Sequence, residues 1–223
     1  MPYVAAWSAE AATDVASADL ITRTDLATGR VQLRYLDERP EDRDGHGVLW
    51  HRVAELQGRG EPLFTQLHTV RQRRVMSLGL CQVCAAPASA WMTTEAMWEE
   101  HCAILGRSRP FQIFDPPVCL ECAERARRFC PAIGGGHVFL APRAWAITSV
   151  RGPVLDPLHE RFGEVGTLQF PAFGAVSRTD VGLMLAKALG VNLFAVDAHR
   201  DPVSAGGLGQ RLDIAGSPAR RRQ

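Results

Sequence analysis

The chain has 223 residues, enough for one large domain or two small ones, so a metal need not be its only source of stability. Hydrophobic residues make up 46% and charged residues 22%, the balance of a soluble globular protein. A net charge of +1 argues against a dedicated nucleic-acid coat or a membrane-surface binder, so any nucleic-acid contact has to come from a local patch.

The N-terminal residues Met1 to Ser8 carry neither a positive start nor a long apolar run, so no signal peptide is expected. No stretch approaches the roughly 18 apolar residues of a membrane span. Tyr3–Trp7 is a short strand candidate. Leu20–Thr24 and Arg30–Leu36 flank Asp25-Leu-Ala-Thr-Gly29, whose closing glycine suits a hairpin turn. Arg39–Gly47 reads as a charged loop and Val48–Leu56 as a further strand, with Trp50 available to the core. After the break at Gly58–Pro62, the segment from Pro62 to Leu78 reads as a helix ending at Gly79. It would pack Leu67, Val70 and Val75 and present Arg71, Arg73 and Arg74 as a cationic surface.

Further on, His137–Ala141 and Trp145–Val150 read as two strands separated by Pro142. Pro153 to Gly166 has the composition of a loop, and Thr167–Phe173 that of an irregular strand broken by Pro171. Thr179–Leu189 has apolar residues at helical spacing (Val181, Met184, Leu185, Ala188, Leu189), with Ser177 or Thr179 as cap and Gly190 as stop. Val191–Val196 is a buried strand candidate. Residues 201–223, rich in glycine, proline and charge, are expected to be a disordered tail.

Cys81-Gln-Val-Cys84 and Cys119-Leu-Glu-Cys122 are separated by 34 residues. In each C-x-x-C the short turn aims two thiolates at one ion, and four thiolates make the tetrahedral shell that Zn²⁺ accepts in closed structural sites. One zinc per chain, held by Cys81, Cys84, Cys119 and Cys122, is therefore expected. Such a shell has no open position for an activated water. Iron in a rubredoxin-like site would use the same ligands. The pairing also favours a metal in a reducing cytoplasm over a disulfide framework. The second pair precedes Ala123-Glu-Arg-Ala-Arg-Arg-Phe-Cys130, which has helical spacing, so Cys119 and Cys122 belong at a helix N-terminus. A knuckle, an intervening hairpin of Ala90–Thr94 and Phe111–Phe114 around an insertion at Glu95–Gly106, and a ligand-bearing helix form a treble-clef-like arrangement. Cys130 reads as a buried thiol. Cys102 follows His101 directly, and adjacent residues rarely face each other as nucleophile and base.

Other chemistry finds little in the sequence. The candidate hairpin region has no asparagine and only His101 for an HNH-type catalytic metal. H-x-E, H-E-x-x-H and G-x-S-x-G motifs are missing, and Gly134-Gly-Gly136 does not match a P-loop. Arg71, Arg74, Arg125 and Arg128 are the candidate nucleic-acid contacts, weighed against a solvated helix face with nearby glutamates.

The segments Val75–Cys84, Pro116–Cys122, Arg128-Phe-Cys-Pro131 and Gly136-His-Val138 resemble a group of uncharacterised actinobacterial proteins over much of residues 45–140. The resemblance implies a cytoplasmic bacterial protein with a cysteine-cluster module and brings no activity with it. Only Lys187 among the 25 basic residues is lysine, which also fits a high-GC genome.

The sequence thus predicts an α+β protein with a β-rich part over 1–60, the zinc module with its preceding helix over 61–133, and a C-terminal strand–helix–strand part over 134–200. The expected role is a non-catalytic scaffold that binds protein, itself or another. A nucleic-acid-binding regulator ranks second, and an enzyme with a site assembled between the parts ranks third. No membrane partner is expected.

Overall fold

The computed structural model describes residues 1–12, 19–27, 29–129, 136–156, 161–170, 182–205 and 207–212. The chain is an α+β protein in which strands predominate over helices. In chain order the elements are β1 (Ala5–Trp7), α1 (Ser8–Ala12), β2 (Leu20–Thr24), β3 (Val31–Tyr35), β4 (Leu49–Trp50), β5 (Pro62–Leu67), α2 (Thr69–Leu78) and β6 (Trp91–Thr94). There follow α3 (Glu95–Ile104), β7 (Phe111–Ile113), α4 (Leu120–Phe129), β8 (His137–Asp156), β9 (Arg161–Gln169), β10 (Leu185–Ala186), β11 (Ala188–His199) and β12 (Gln210–Arg211). Among the described residues no helix is long and apolar enough to cross a membrane.

The chain forms two compact units, each assembled from separated segments. One gathers Met1–Val4, Arg71–Ile147 and Gly190–Leu212; the other includes Ala5–Val70 and Thr148–Leu189.

In the second unit, β2 and β3 form the expected antiparallel hairpin, in register from Leu20↔Tyr35 to Thr24↔Val31. Its turn closes because the Asp25 side chain accepts the Ala27 amide at 2.8 Å and the Asp25 carbonyl accepts the Gly29 amide at 2.7 Å. Leu33, Tyr35, Leu49, Leu155, Leu183 and Leu185 share one buried cluster. The charged loop after β3 is tied down by arginines. Arg52 pairs with Asp37 and Asp42 and lies over the Tyr35 ring at 4.1 Å, while Arg43 reaches Glu38 at 2.9 Å. The hydrogen bond from Arg52 holds the Asp42 carboxyl below its ordinary value.

Several segments depart from the sequence reading. Pro62–Leu78 is not one helix. Its first part is β5, which pairs antiparallel with β1 (Ala6↔Leu63, Trp7↔Pro62), and only Thr69–Leu78 is helical. The two strands expected over 137–150 are one strand, β8, which continues through Pro142 and Pro153 to Asp156. Its second half forms an antiparallel pair with β9 where a loop was expected, and the register slips between Pro153 and Leu155, a bulge that accommodates the proline. The helix expected over Thr179–Leu189 is absent from its described part. Gly182 and Leu183 form a turn, β10 pairs in parallel with β4, and β11 begins at Ala188. Gly152 permits this arrangement, since a Cβ there would collide with the Leu185 carbonyl. Ser177, Thr179 and Val181 lie outside the described residues. So do Phe170's successors up to Phe173 and most of the expected tail, although Pro202–Ala205 is a 3₁₀ turn and Gln210–Arg211 a strand.

In the first unit, β8 is the central strand. Its start pairs with β6 (Trp91↔Leu140 to Thr94↔His137), and Ala144 and Trp145 pair in parallel with β12. On β11, Val191, Asn192 and Leu193 pair antiparallel with β7. Trp91 and Trp145 meet edge-on at 5.4 Å.

Candidate metal centre

The site begins where α2 stops. The Leu80 amide reaches back to the Val75 carbonyl at 2.9 Å and Gly79 adopts φ +66°, which is a Schellman-type helix end. Any larger residue at 79 would suffer twice, from that left-handed backbone and from the Trp145 ring and Leu208 methyl beside it.

The chain then folds into a knuckle. The Cys81 amide donates to the Ala86 carbonyl at 2.7 Å, and the Ala85 amide donates to the Cys81 carbonyl at 2.9 Å. Ala85 takes a left-handed φ of 60° to complete this turn. The Val83 amide thereby points at Cys81 Sγ, 3.4 Å away. The knuckle is held from both sides: the Gln82 amide donates to Pro117 O, and the Tyr3 and Val4 amides donate to Val83 O and Gln82 O. This N-terminal clamp has no counterpart in the sequence pattern, because it uses backbone groups only.

An antiparallel bridge between Ala90 and Val118 brings the second pair to the first. Both amides of the bridge are satisfied, with Ala90 N to Val118 O at 3.1 Å and Val118 N to Ala90 O at 2.8 Å. Cys119 follows at once and its carbonyl accepts the Ala123 amide at 2.9 Å, so it is the residue that opens α4. Cys122 lies one turn along, as the sequence predicted. Glu121 in the first turn and Arg127 and Arg128 in the last match the helix dipole.

The expected hairpin between Ala90–Thr94 and Phe111–Phe114 does not form. β6 pairs with β8 and β7 with β11, so both candidate strands are used by the larger sheet. The insertion between them is helix α3, capped by the Thr94 hydroxyl, which accepts the Met97 amide.

The four sulfurs all lie within 4.8 Å of one another, and Cys84 Sγ and Cys119 Sγ are 3.7 Å apart. A tetrahedron of thiolates at about 2.3 Å from a zinc ion has sulfur–sulfur edges of about 3.8 Å, which the Cys84–Cys119 separation matches. None of these cysteines is in a disulfide. Cys81 and Cys122 face inward, into a cluster with Ala90, Val118, Ala123, Phe139 and Ala205, while Cys84 is exposed and Cys119 half-buried. Burial pushes the thiols of Cys81 and Cys122 up, whereas the Ala86 amide pulls Cys84 down. A metal taking four thiolates must displace protons from the two raised thiols, so its hold weakens as pH falls.

The remaining candidates separate from this site. His101 stacks on Trp98 and meets Phe111 edge-on at 5.0 Å, with Nε2 3.3 Å from the Arg109 carbonyl; it belongs to an aromatic cluster. Cys102, next to it on α3, is outside the four-sulfur group. Cys102→Ser should therefore leave metal content unchanged and alter stability by no more than about 0.5 kcal/mol, checked by elemental analysis and a denaturant titration. Cys130, Gly134 and Gly135 lie outside the described residues, and Gly136 accepts the Glu95 amide through its carbonyl at 3.4 Å. The candidate nucleic-acid contacts sit in different environments. Arg71 is only 3% exposed, Arg74 and Arg128 are exposed, and Arg125 pairs with Glu121 at 3.2 Å.

Comparison with protein-family models, with curated proteins and with solved structures finds no match for this chain. Fold and site by themselves define an α+β protein with a four-cysteine cluster that can hold a metal ion.

Proposed function

We propose that Cys81, Cys84, Cys119 and Cys122 bind one structural Zn²⁺ and that the chain acts as a non-catalytic scaffold for protein interaction in a bacterial cytoplasm. The observation that carries the metal reading is the convergence of four thiol sulfurs to within 4.8 Å of one another, with Cys84 Sγ and Cys119 Sγ at 3.7 Å. Four sulfur donors leave no coordination position for substrate or water, which makes the ion a structural one. Knuckle and ligand-bearing helix are two treble-clef elements, here joined through the Ala90–Val118 bridge in place of a hairpin. A resident thiol cluster also suits a reducing compartment.

Two features favour a protein partner over nucleic acid. Arg71 is buried and Arg125 is ion-paired, so the cationic patch is smaller than the run of arginines suggests. On α3 and at its C-cap, Met97, Ile104 and Leu105 stand exposed. The test is elemental analysis of the purified chain, expected to give one zinc per chain, combined with a mixed DNA and RNA shift assay at moderate salt, expected to show no binding. Iron or no metal would overturn the first part. Tight, salt-sensitive nucleic-acid binding would overturn the second.

A further inference from the structure

The cysteine cluster is chemically lopsided. Its two inward sulfurs, Cys81 and Cys122, sit on residues 0% and 5% exposed, whereas Cys84 is open to solvent and Cys119 half-open. The two accessible sulfurs come from different C-x-x-C pairs, and they are 3.7 Å apart. We propose that Cys84 and Cys119 form a peroxide-oxidisable pair, so that a hydroperoxide converts the metal centre to a Cys84–Cys119 disulfide and releases the zinc. The proposal rests on the zinc reading above and adds a modification chemistry to it.

The step balances with hydrogen peroxide as the oxidant. The Cys84 thiolate attacks one peroxide oxygen, an S–O bond forms and the O–O bond breaks, leaving a sulfenic acid and one hydroxide. The Cys119 thiolate then attacks the Cys84 sulfur, forming the S–S bond and expelling the second hydroxide. The two sulfurs together lose two electrons, the peroxide gains them, and two protons from water or buffer turn both hydroxides into water. Closing the pair requires the sulfurs to move from 3.7 Å to about 2.05 Å. Cys81 and Cys122 alone then remain as thiolate donors, too few to keep a tetrahedral ion. The disulfide ties the knuckle to the start of α4, the same two segments the metal had joined.

The alternative pairing within each C-x-x-C would couple an accessible sulfur to a buried one, since Cys84 partners Cys81 and Cys119 partners Cys122. Peroxide needs to reach only the sulfur it oxidises, so the cross pair rests on the 3.7 Å approach of Cys119 Sγ to Cys84 Sγ together with the exposure of both.

The experiment treats the full chain with one equivalent of hydrogen peroxide after its zinc has been counted. Released zinc is followed with a chromogenic chelator, and disulfides are mapped by mass spectrometry of a non-reducing digest. A Cys102→Ser variant is run in parallel to remove the thiol on α3 as a competitor. The expected result is one zinc released per disulfide, the crosslink mapping to Cys84 and Cys119, and recovery of zinc binding on reduction with dithiothreitol. Zinc present at the outset but retained after treatment, a crosslink within either C-x-x-C pair, or a sulfinic acid at Cys84 without a crosslink overturns this proposal and leaves the zinc reading standing. A chain with no zinc before oxidation overturns both.

Discussion

Cys81→Ser is expected to abolish stoichiometric metal binding and to lower stability by about 4 kcal/mol or more, since loss of a metal is among the few single changes with so large an effect. Two losses combine. The serine hydroxyl is a poor ligand for zinc, and three thiolates remain around an ion that needs four. The same hydroxyl is placed in a cluster with Val118, Ala123 and Phe139, at a residue with no exposed surface. Elemental analysis and thermal unfolding followed by circular dichroism measure the two effects. Stripping wild-type protein with a strong chelator should reproduce most of the drop in melting temperature, because the ion organises the knuckle and the start of α4. If the chelated wild type melts as the loaded protein does, the cluster is not a stabilising metal site.

The cysteine cluster was legible in the sequence because each half of it is local. A C-x-x-C turn delivers two sulfurs through three peptide links, and the helical spacing after Cys122 could be read without any partner. The β2–β3 hairpin was legible for the same reason, since Asp25 and Gly29 close it within five residues. What failed was set by partners distant in the chain. Pro62–Leu67 pairs with Ala5–Trp7, more than fifty residues earlier, and no periodicity within the segment announces that pairing. Met184, Leu185, Ala188 and Leu189 suit a helical stripe, but Leu183 to Ala186 are buried without interruption. A run buried on both sides satisfies any period, and pairing of β10 with β4 decided for strand.

The phase of α2 was misread by the same mechanism. Val70 was read as packing inward together with Val75, and Arg71, Arg73 and Arg74 as a cationic surface. In the folded chain the inward face carries Thr69, Arg71, Gln72, Val75 and Met76, and Val70, Arg74 and Leu78 face out. Gln72 makes sense of the inward polar face, because its amide donates to the Phe114 carbonyl at 2.9 Å. A buried polar side chain with a fixed backbone partner cannot be recognised from hydrophobicity, which is why Arg71 was placed among surface cations.

Glu10→Ala is expected to destabilise the protein by about 3–5 kcal/mol, the range for breaking a buried, hydrogen-bonded charge. Glu10 has no exposed surface although it lies in the short helix α1. One carboxylate oxygen accepts the Trp7 amide and the other accepts the Leu56 amide, each at 2.9 Å. The oxygen that serves Leu56 is also 3.7 Å from His68 Nε2, and that nitrogen faces the Ala54 carbonyl at 3.1 Å. A carbonyl can only accept, so Nε2 carries the proton and both its oxygen neighbours are acceptors. One carboxylate thus fastens β1, the 54–56 segment and the residue before α2. Removing it deprives two partly buried backbone donors of their acceptor. Glu10→Gln gives the sharper measurement. Its amide keeps one acceptor but turns an NH₂ toward one of the two backbone amides, so it should still lose about 1–3 kcal/mol, as expected for one unsatisfied buried donor. Urea unfolding of both variants checks this. If Glu10→Gln unfolds at the wild-type midpoint, the carboxylate is not accepting both bonds.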